Sequence, residues 1–389
     1  MKSLESFEKD LLICNHCRCG FCREECPAYR ATRIEGVSPK GRMEILQGYY
    51  EGFIEPSEKL YKRLSLCARC NDCTVRCPVQ KNKLIERFNV RVDPCEATDA
   101  VLADLVRDGY ASDPILATKE NVIKGHNIFR QSNKDRDKWM DSMEELPPDR
   151  YRKERAEVLY FVGCISSFPT ELRDIAIAFT RILEKSGTDF TMLGEEEWCC
   201  GALPKAVGLL KEVEELKAHN IEQVKKLGAT KVVFNCPTCY AMWATEYKLD
   251  GIELMHSTQF IEELIKVGKL ELEAFEGTIT YHDPCDLGRR MKVYDSPRKV
   301  LRSIPQAEFI ELRRNHEEGL CCGGGRLLDN THPDTAGEIT GRLAEALMLS
   351  GADIVVDACP QCKRMIAPKT PKVVMDIVEV VLQLGKFNK

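Results

Sequence analysis

The sequence predicts an α/β chain: a small helical, cysteine-dense N-terminal segment followed by one α/β unit present twice. Three observations carry this. Ten of the twenty cysteines fall in residues 1–95 and ten in 156–389, with none in 96–155. The C-terminal ten repeat: "LYFVGCISSF" aligns with "ITYHDPCDLG", "EEEWCCGALPKAVG" with "EEGLCCGGGRLLDN", and "GATKVVFNCPTC" with "GADIVVDACPQC". The offsets barely drift, at 121, 122 and 123 residues for Cys164/Cys285, Cys200/Cys322 and Cys239/Cys362. Finally, short apolar runs alternate with helical-period stretches in each copy, the pattern of a parallel sheet covered by helices.

Residues 1–95 form the first segment. In "CARCNDCTVRCP", Cys67, Cys70, Cys73 and Cys77 are followed by Pro78. This is the ferredoxin spacing for a cubane 4Fe–4S cluster, in which the fourth thiolate serves a second cluster. One cluster is then expected on Cys67, Cys70, Cys73 and Cys26, and another on Cys77, Cys22 and two further residues. "CNHCRCGFCREECP" is the irregular partner: counting back from Cys26 meets Cys22, Cys19 and then His16. Cys19 and Cys22 with Cys17 or Cys14 is the favoured set; Cys14, Cys17 and Cys22, or a His16 ligand, stay open. Zinc sites usually pair two Cys-x-x-Cys motifs across a longer loop, which fits less well. Cys95 has no partner spacing and reads as a buried free thiol.

Residues 96–155 read as a helical connector. "ATDAVLADLVRDGY" has helical periodicity; the polar stretch after it reads as a solvated linker with anchors such as Trp139, and Pro147-Pro148 as a break.

The duplicated units are expected at 156–270 and 271–389. In the first, "EVLYFVGC" is a strand ending at a cysteine, "TELRDIAIAFTRILEKSG" a helix with a glycine stop, and "DFTML" a short strand. "LLKEVEELKAHNIEQVKKLG" is a long amphipathic helix, and "KVVFN" a strand running into Cys236. The cysteines follow strand ends, where open α/β sheets bind ligands. One set is Cys164, Cys199, Cys200, Cys236 and Cys239; the other is Cys285, Cys321, Cys322, Cys359 and Cys362. Five thiols with an adjacent pair suit a polynuclear cluster better than one metal ion, and an odd, repeated number argues against disulfides. Gly201 and Gly323 to Gly325 are expected to let the backbone approach inorganic sulfide.

The net charge of −5 and the scattered basic residues exclude a nucleic-acid surface. No apolar run reaches membrane-span length, and no G-x-G-x-x-G dinucleotide loop is present. Metal-like cysteine spacing and a charged N-terminus point to the reducing cytoplasm, with the cytoplasmic face of the membrane reached only through a partner.

These motifs, "CCGALP" with "CPTC" and "HDPC" with "CCGGG" and "CPQC", resemble the cysteine-rich CCG domain family. With two ferredoxin motifs ahead of them, the chain resembles the iron–sulfur proteins of the heterodisulfide reductase D-type group. Similar layouts occur in iron–sulfur subunits of glycolate and lactate oxidases and in class II benzoyl-CoA reductase complexes. The resemblance implies a ferredoxin-like domain with two cubane 4Fe–4S clusters and two CCG domains with noncubane 4Fe–4S clusters. It implies reduction of a disulfide, or oxidation of two thiols, at clusters held by the ten C-terminal cysteines as catalytic residues, with a flavoprotein or membrane cytochrome as redox partner. The alternative is a pure electron-transfer subunit. The family commonly has His where this chain has Asp286. His282 is a candidate proton donor, or a satisfied strand-end histidine. Arg289, Arg290, Arg326, Lys363 and Arg364 are candidates for holding an anionic tail, or ordinary surface charge.

Overall fold

The structure is a computed structural model that describes residues 2–81, 91–143 and 148–388. These divide into two bodies by internal contacts. The smaller contains residues 1–119, 203–211 and 321–342; the larger contains 120–202, 212–320 and 343–389.

The smaller body is helical. Its central helix, Pro39–Tyr50, starts at Ser38, whose hydroxyl accepts from the Gly41 amide at 2.9 Å, and proline fills the first position. Its buried face carries Arg42, Met43, Leu46 and Tyr49. The helix Pro94–Arg107, expected from its periodicity, packs against it and is capped by Asp93, which accepts from the Cys95 and Glu96 amides. Leu46, Tyr61, Val101 and Leu105 form the apolar centre.

The larger body holds two four-stranded parallel sheets, in accord with the expected α/β class. In chain order the strands are β1 Val158–Phe161, β2 Phe190–Thr191, β3 Lys231–Phe234, β4 Glu253–His256, β5 Leu270–Leu272, β6 Gly277–Tyr281, β7 Ala307–Ile310, β8 Ile354–Asp357, β9 Val373–Asp376 and β10 Gly385–Phe387. The sheet orders are β2-β1-β3-β4 and β7-β6-β8-β9. The duplication is therefore one of topology. The helices Arg173–Lys185 and Leu210–Leu227 appear where expected, and the glycines closing them, Gly187 and Gly228, take positive φ of 69° and 66°. The fourth strand of each sheet and the antiparallel β5–β10 pair were not anticipated. Both are short, and β4 carries its burial on only two residues.

The expectation of a solvated linker is corrected. Trp139 is a buried anchor as expected, but Asn127, Arg136 and Met140 are buried too, and Trp139 and Met140 join the main core of the larger body. Asn127, Asn133 and Arg136 make internal hydrogen bonds instead of meeting water. Pro147 lies outside the described residues; Pro148 opens the short turn Pro148–Tyr151. Among the described residues no helix is long and apolar enough to cross a membrane.

Candidate metal centres

In the smaller body the two N-terminal motifs fold alike. Arg18 and Gly20, and 51 residues later Arg69 and Asn71, take left-handed backbone, with φ of 52°, 66°, 50° and 61°. A five-residue helix follows each. Each then closes on a cysteine amide bonded back three residues, Cys26 to Arg23 at 3.1 Å and Cys77 to Thr74 at 3.2 Å. This register matches Cys19 with Cys70, Cys22 with Cys73 and Cys26 with Cys77. It also puts His16 where the second motif has Cys67. His16 is exposed, and its Nδ1 donates to the Leu12 carbonyl at 2.8 Å.

Two pockets result. One is lined by Cys14, Cys17, Cys19, Cys22, Cys73 and Cys77, with Lys40. The other is lined by Cys26, Cys67, Cys70, Cys73 and Cys95, with Arg42. The fourth cysteine of each motif thus lines the pocket of the other. Cys95 is buried as expected but not isolated, its sulfur lying 3.8 Å from that of Cys73.

The donor chemistry fits iron–sulfur clusters. Burial pushes the thiols of Cys14, Cys22 and Cys26 up to about 12. Such crowded thiols ionise together only beside a compensating cation, which iron supplies. Arg42 is 1% exposed, yet its Nε and Nη1 have no protein acceptor. A buried guanidinium with two orphaned donors needs an acceptor, and cluster sulfur is one.

Cys321 and Cys322 also belong to the smaller body. The Cys321 thiol bonds those of Cys322 and Cys70, and the Gly323 amide donates to Cys321 Sγ at 3.3 Å. Asp99 ties these loops together. It accepts from Arg69 Nε at 2.6 Å and from Arg326 Nη2, while Arg326 Nη1 donates to the Ala206 carbonyl at 2.7 Å. The expected role of Gly325 is corrected: a Cβ there would meet the Ala68 carbonyl oxygen at 2.0 Å, so the residue admits protein backbone, not sulfide.

The first five-cysteine set lies wholly in the larger body, and all five are thiols. They form one continuous hydrogen-bonded chain, Cys164–Cys199–Cys200–Cys239–Cys236. Cys200 is drawn down to about 6 by the bonds from Cys199 and Cys239. Gly163, at φ 79°, lets the chain turn beside them; a Cβ there would lie 3.3 Å from Cys239 Sγ. Asn220 holds the adjacent pair, with Nδ2 donating to the Cys199 carbonyl at 3.2 Å and to Tyr247 Oη at 3.1 Å. Tyr247 in turn donates to the Cys200 carbonyl at 3.0 Å.

Of the second set, Cys285, Cys359 and Cys362 belong to the larger body. Cys359 bonds Cys362 and lies within electrostatic reach of Cys236 of the first set. His282, at the end of β6, bonds Asp357 Oδ2 through Nδ1 at 3.1 Å and the Leu320 carbonyl through Nε2 at 3.0 Å. The Leu320 carbonyl can only accept, so Nε2 carries hydrogen; burial opposes the charged form of His282, and Asp357 outweighs it and raises the pKa. Cys362 falls within 4.8 Å of this pair.

The basic residues flanking the second set have partners. Arg289 donates to the Glu317 carbonyl at 2.9 Å and to Gly319, Arg290 pairs with Asp286 at 2.8 Å, and Lys363 with Glu379 at 2.6 Å. Arg364 lies 3.9 Å from Glu171. Asp286 also accepts from Thr238 Oγ1 at 2.6 Å, linking the two copies.

Four residues of these centres were missed: Arg42, Asp99, Arg136 and Glu197. Arg42 left a signal, a charge four and seven residues before the core positions Leu46 and Tyr49. Arg136 left none, because its polar surroundings conceal its burial.

Comparison with known proteins agrees with this layout. The 4Fe-4S dicluster domain family matches residues 10–81, and the cysteine-rich CCG domain family matches 158–243 and again 279–367. The D-type subunit of the dihydromethanophenazine:CoB–CoM heterodisulfide reductase of Methanosarcina barkeri is 32% identical over 94% of this chain and 92% of its own. A probable iron-sulfur-binding oxidoreductase, FadF, of Bacillus subtilis is 30% identical over 78% of this chain and 43% of its own. The EtfAB:quinone oxidoreductase of Syntrophomonas wolfei is 28% identical over 94% and 57%. A crystal structure of a hypothetical protein from Helicobacter pylori shares the fold, with a TM-score of 0.52 at 10% identity, covering 100% of this chain and 77% of that one.

Proposed function

The chain belongs to the heterodisulfide reductase D-type family of iron–sulfur oxidoreductase subunits, and from that premise we propose that it relays electrons from its N-terminal cysteine motifs to its duplicated five-cysteine sites, where a disulfide is reduced or two thiols are oxidised. The observation that supports this is Asp99, which accepts from Arg69 and Arg326 and so ties the Cys67–Cys73 loop to the Cys321–Cys322 loop, where the Cys70 and Cys321 thiols are hydrogen-bonded.

In this reading residues 1–95, 96–155, 156–270 and 271–389 are the ferredoxin-like domain, the connector and the two CCG domains. Cys67, Cys70, Cys73 and Cys26 hold one cubane 4Fe–4S cluster, and Cys77, Cys22, Cys19 and either Cys14 or Cys17 the other. The five-cysteine sets hold one noncubane 4Fe–4S cluster each. These clusters supply one-electron redox chemistry and iron to which a sulfur can bind. The chain's own residues do the rest. Arg42 balances thiolate charge, Asn220 and Glu197 fix the loops bearing the adjacent cysteines, and His282, committed to Asp357 and Leu320, positions the β6 end. The overall change is R–S–S–R′ with two electrons and two protons giving two thiols, the electrons coming from a flavoprotein or cytochrome partner. The cytoplasm is the compartment that fits twenty thiols.

The quinone oxidoreductase relative, which matches 94% of this chain, favours a second reading, electron transfer without substrate chemistry. Reduced protein offered the coenzyme M–coenzyme B heterodisulfide with a viologen donor decides between them. Turnover and a thiol-dependent paramagnetic signal support catalysis; neither signal with full iron content leaves the conduit.

A further inference from the structure

The two five-cysteine sets are copies in sequence but not in surroundings. Beside the first, Arg136 is 1% exposed. Its Nε donates to Asn133 Oδ1 at 3.1 Å, Nη1 to Glu197 Oε1 at 2.8 Å and Nη2 to Cys164 Sγ at 3.5 Å. The Phe168 ring lies 5.2 Å from the guanidinium carbon and keeps water from it. Glu197, also 1% exposed, takes the Val162 and Gly163 amides, each at 2.8 Å. Those amides offset its charge, so the pair turns its cationic end to the sulfur. It also ties the loop leading into Cys164 to the residues before Cys199.

The repeat does not reproduce this pair. The repeat aligns Glu197 with Gly319, and Arg136 precedes the repeat altogether. At the matching strand end stand His282, whose nitrogens face the Asp357 and Leu320 oxygens, and a different buried pair, Arg298 with Asp283 at 2.8 Å.

We propose that Arg136 is a positioning residue that raises the reduction potential of the first five-cysteine site. The inference rests on the proposal that each set holds a cluster. An N–H donated by a permanent cation to a ligating sulfur favours the more negative, reduced state and so raises the potential. Burial limits screening of that charge by water and salt. Arginine holds its proton at any working pH, so the bias is constant.

The test uses the anaerobically purified holoprotein and its Arg136→Gln, Glu197→Gln and Cys164→Ser variants, reading iron per chain and midpoint potentials by paramagnetic resonance. The centre perturbed by Cys164→Ser is the first site. Arg136→Gln is expected to keep its iron and lower the potential of that centre alone. Glu197→Gln, which leaves the cation uncompensated, is expected to raise it. An unmoved potential in Arg136→Gln, or equal shifts at both five-cysteine centres, overturns the proposal. If Arg136→Gln loses iron, Glu197→Gln decides: a rise supports the proposal and no change overturns it. Wild-type iron of about eight per chain would instead sink the cluster assignment itself.

Discussion

Replacing Asp99 strikes the network that holds two cysteine loops in the smaller body. Its carboxylate serves Arg69, between Cys67 and Cys70, and Arg326, four residues past Cys322. Both arginines adopt left-handed backbone, φ 50° and 56°, which a non-glycine residue takes at a cost and keeps only when held. In Asp99→Ala the Arg326 side chain, 0% exposed, would be left as an unpaired buried charge. Removing one partner of such a pair costs about 3–5 kcal/mol. The Arg69 side chain is 18% exposed, and its loss adds about 0.2–1 kcal/mol. Against a typical total of about 5–15 kcal/mol, that is a large fraction. In Asp99→Ala/Arg326→Met no buried charge is stranded, so the double variant should be less destabilised than the sum of the singles by about 2 kcal/mol. Anaerobic urea unfolding followed by circular dichroism at matched iron loading gives the four midpoints. Additivity within about 0.5 kcal/mol would refute the coupling.

Gly325→Ala should push the Ala68 carbonyl away, destabilising by at least about 1–3 kcal/mol and loosening iron held by the Cys67–Cys73 loop. Gly341→Ala, where nothing lies within 4 Å, should be neutral or stabilising by up to about 1 kcal/mol; iron assay and melting temperature of the two variants check this. His256 is held down to about 4 by burial, with Nδ1 at Thr258 and Nε2 at the Asn235 carbonyl. The unfolded chain takes up the proton first, so this contribution to stability is complete above about pH 6.5 and is lost as pH falls toward 4, about 2 kcal/mol having gone by pH 5. His256→Gln should remove that part of the decline; parallel urea midpoints at pH 7 and pH 5 measure it, and an unchanged wild-type slope would count against the burial argument.

The parts legible in the sequence were those governed by local rules. The helix closed by Gly187 and the strand running into Cys236 follow from periodicity and turn chemistry. The thiol chain from Cys164 to Cys236 follows from spacing and repetition. The parts that were not legible depend on residues far apart in the chain. Arg136 lies 61 positions before its partner Glu197 in a stretch that reads as polar linker. Asp99 is 227 positions from Arg326. Cys95, which has no motif partner, is brought to Cys73 only by the packing of the helix it begins. Gly325 reads as part of a sulfide-binding turn, but its space is taken by the Ala68 carbonyl.

Iron and acid-labile sulfide per chain, measured on the anaerobically purified protein, decide whether the duplicated units carry clusters. Two cubane and two noncubane clusters predict about sixteen irons and a matching sulfide content. A value of about eight, unchanged in Cys239→Ser, would mean that the duplicated units hold no cluster.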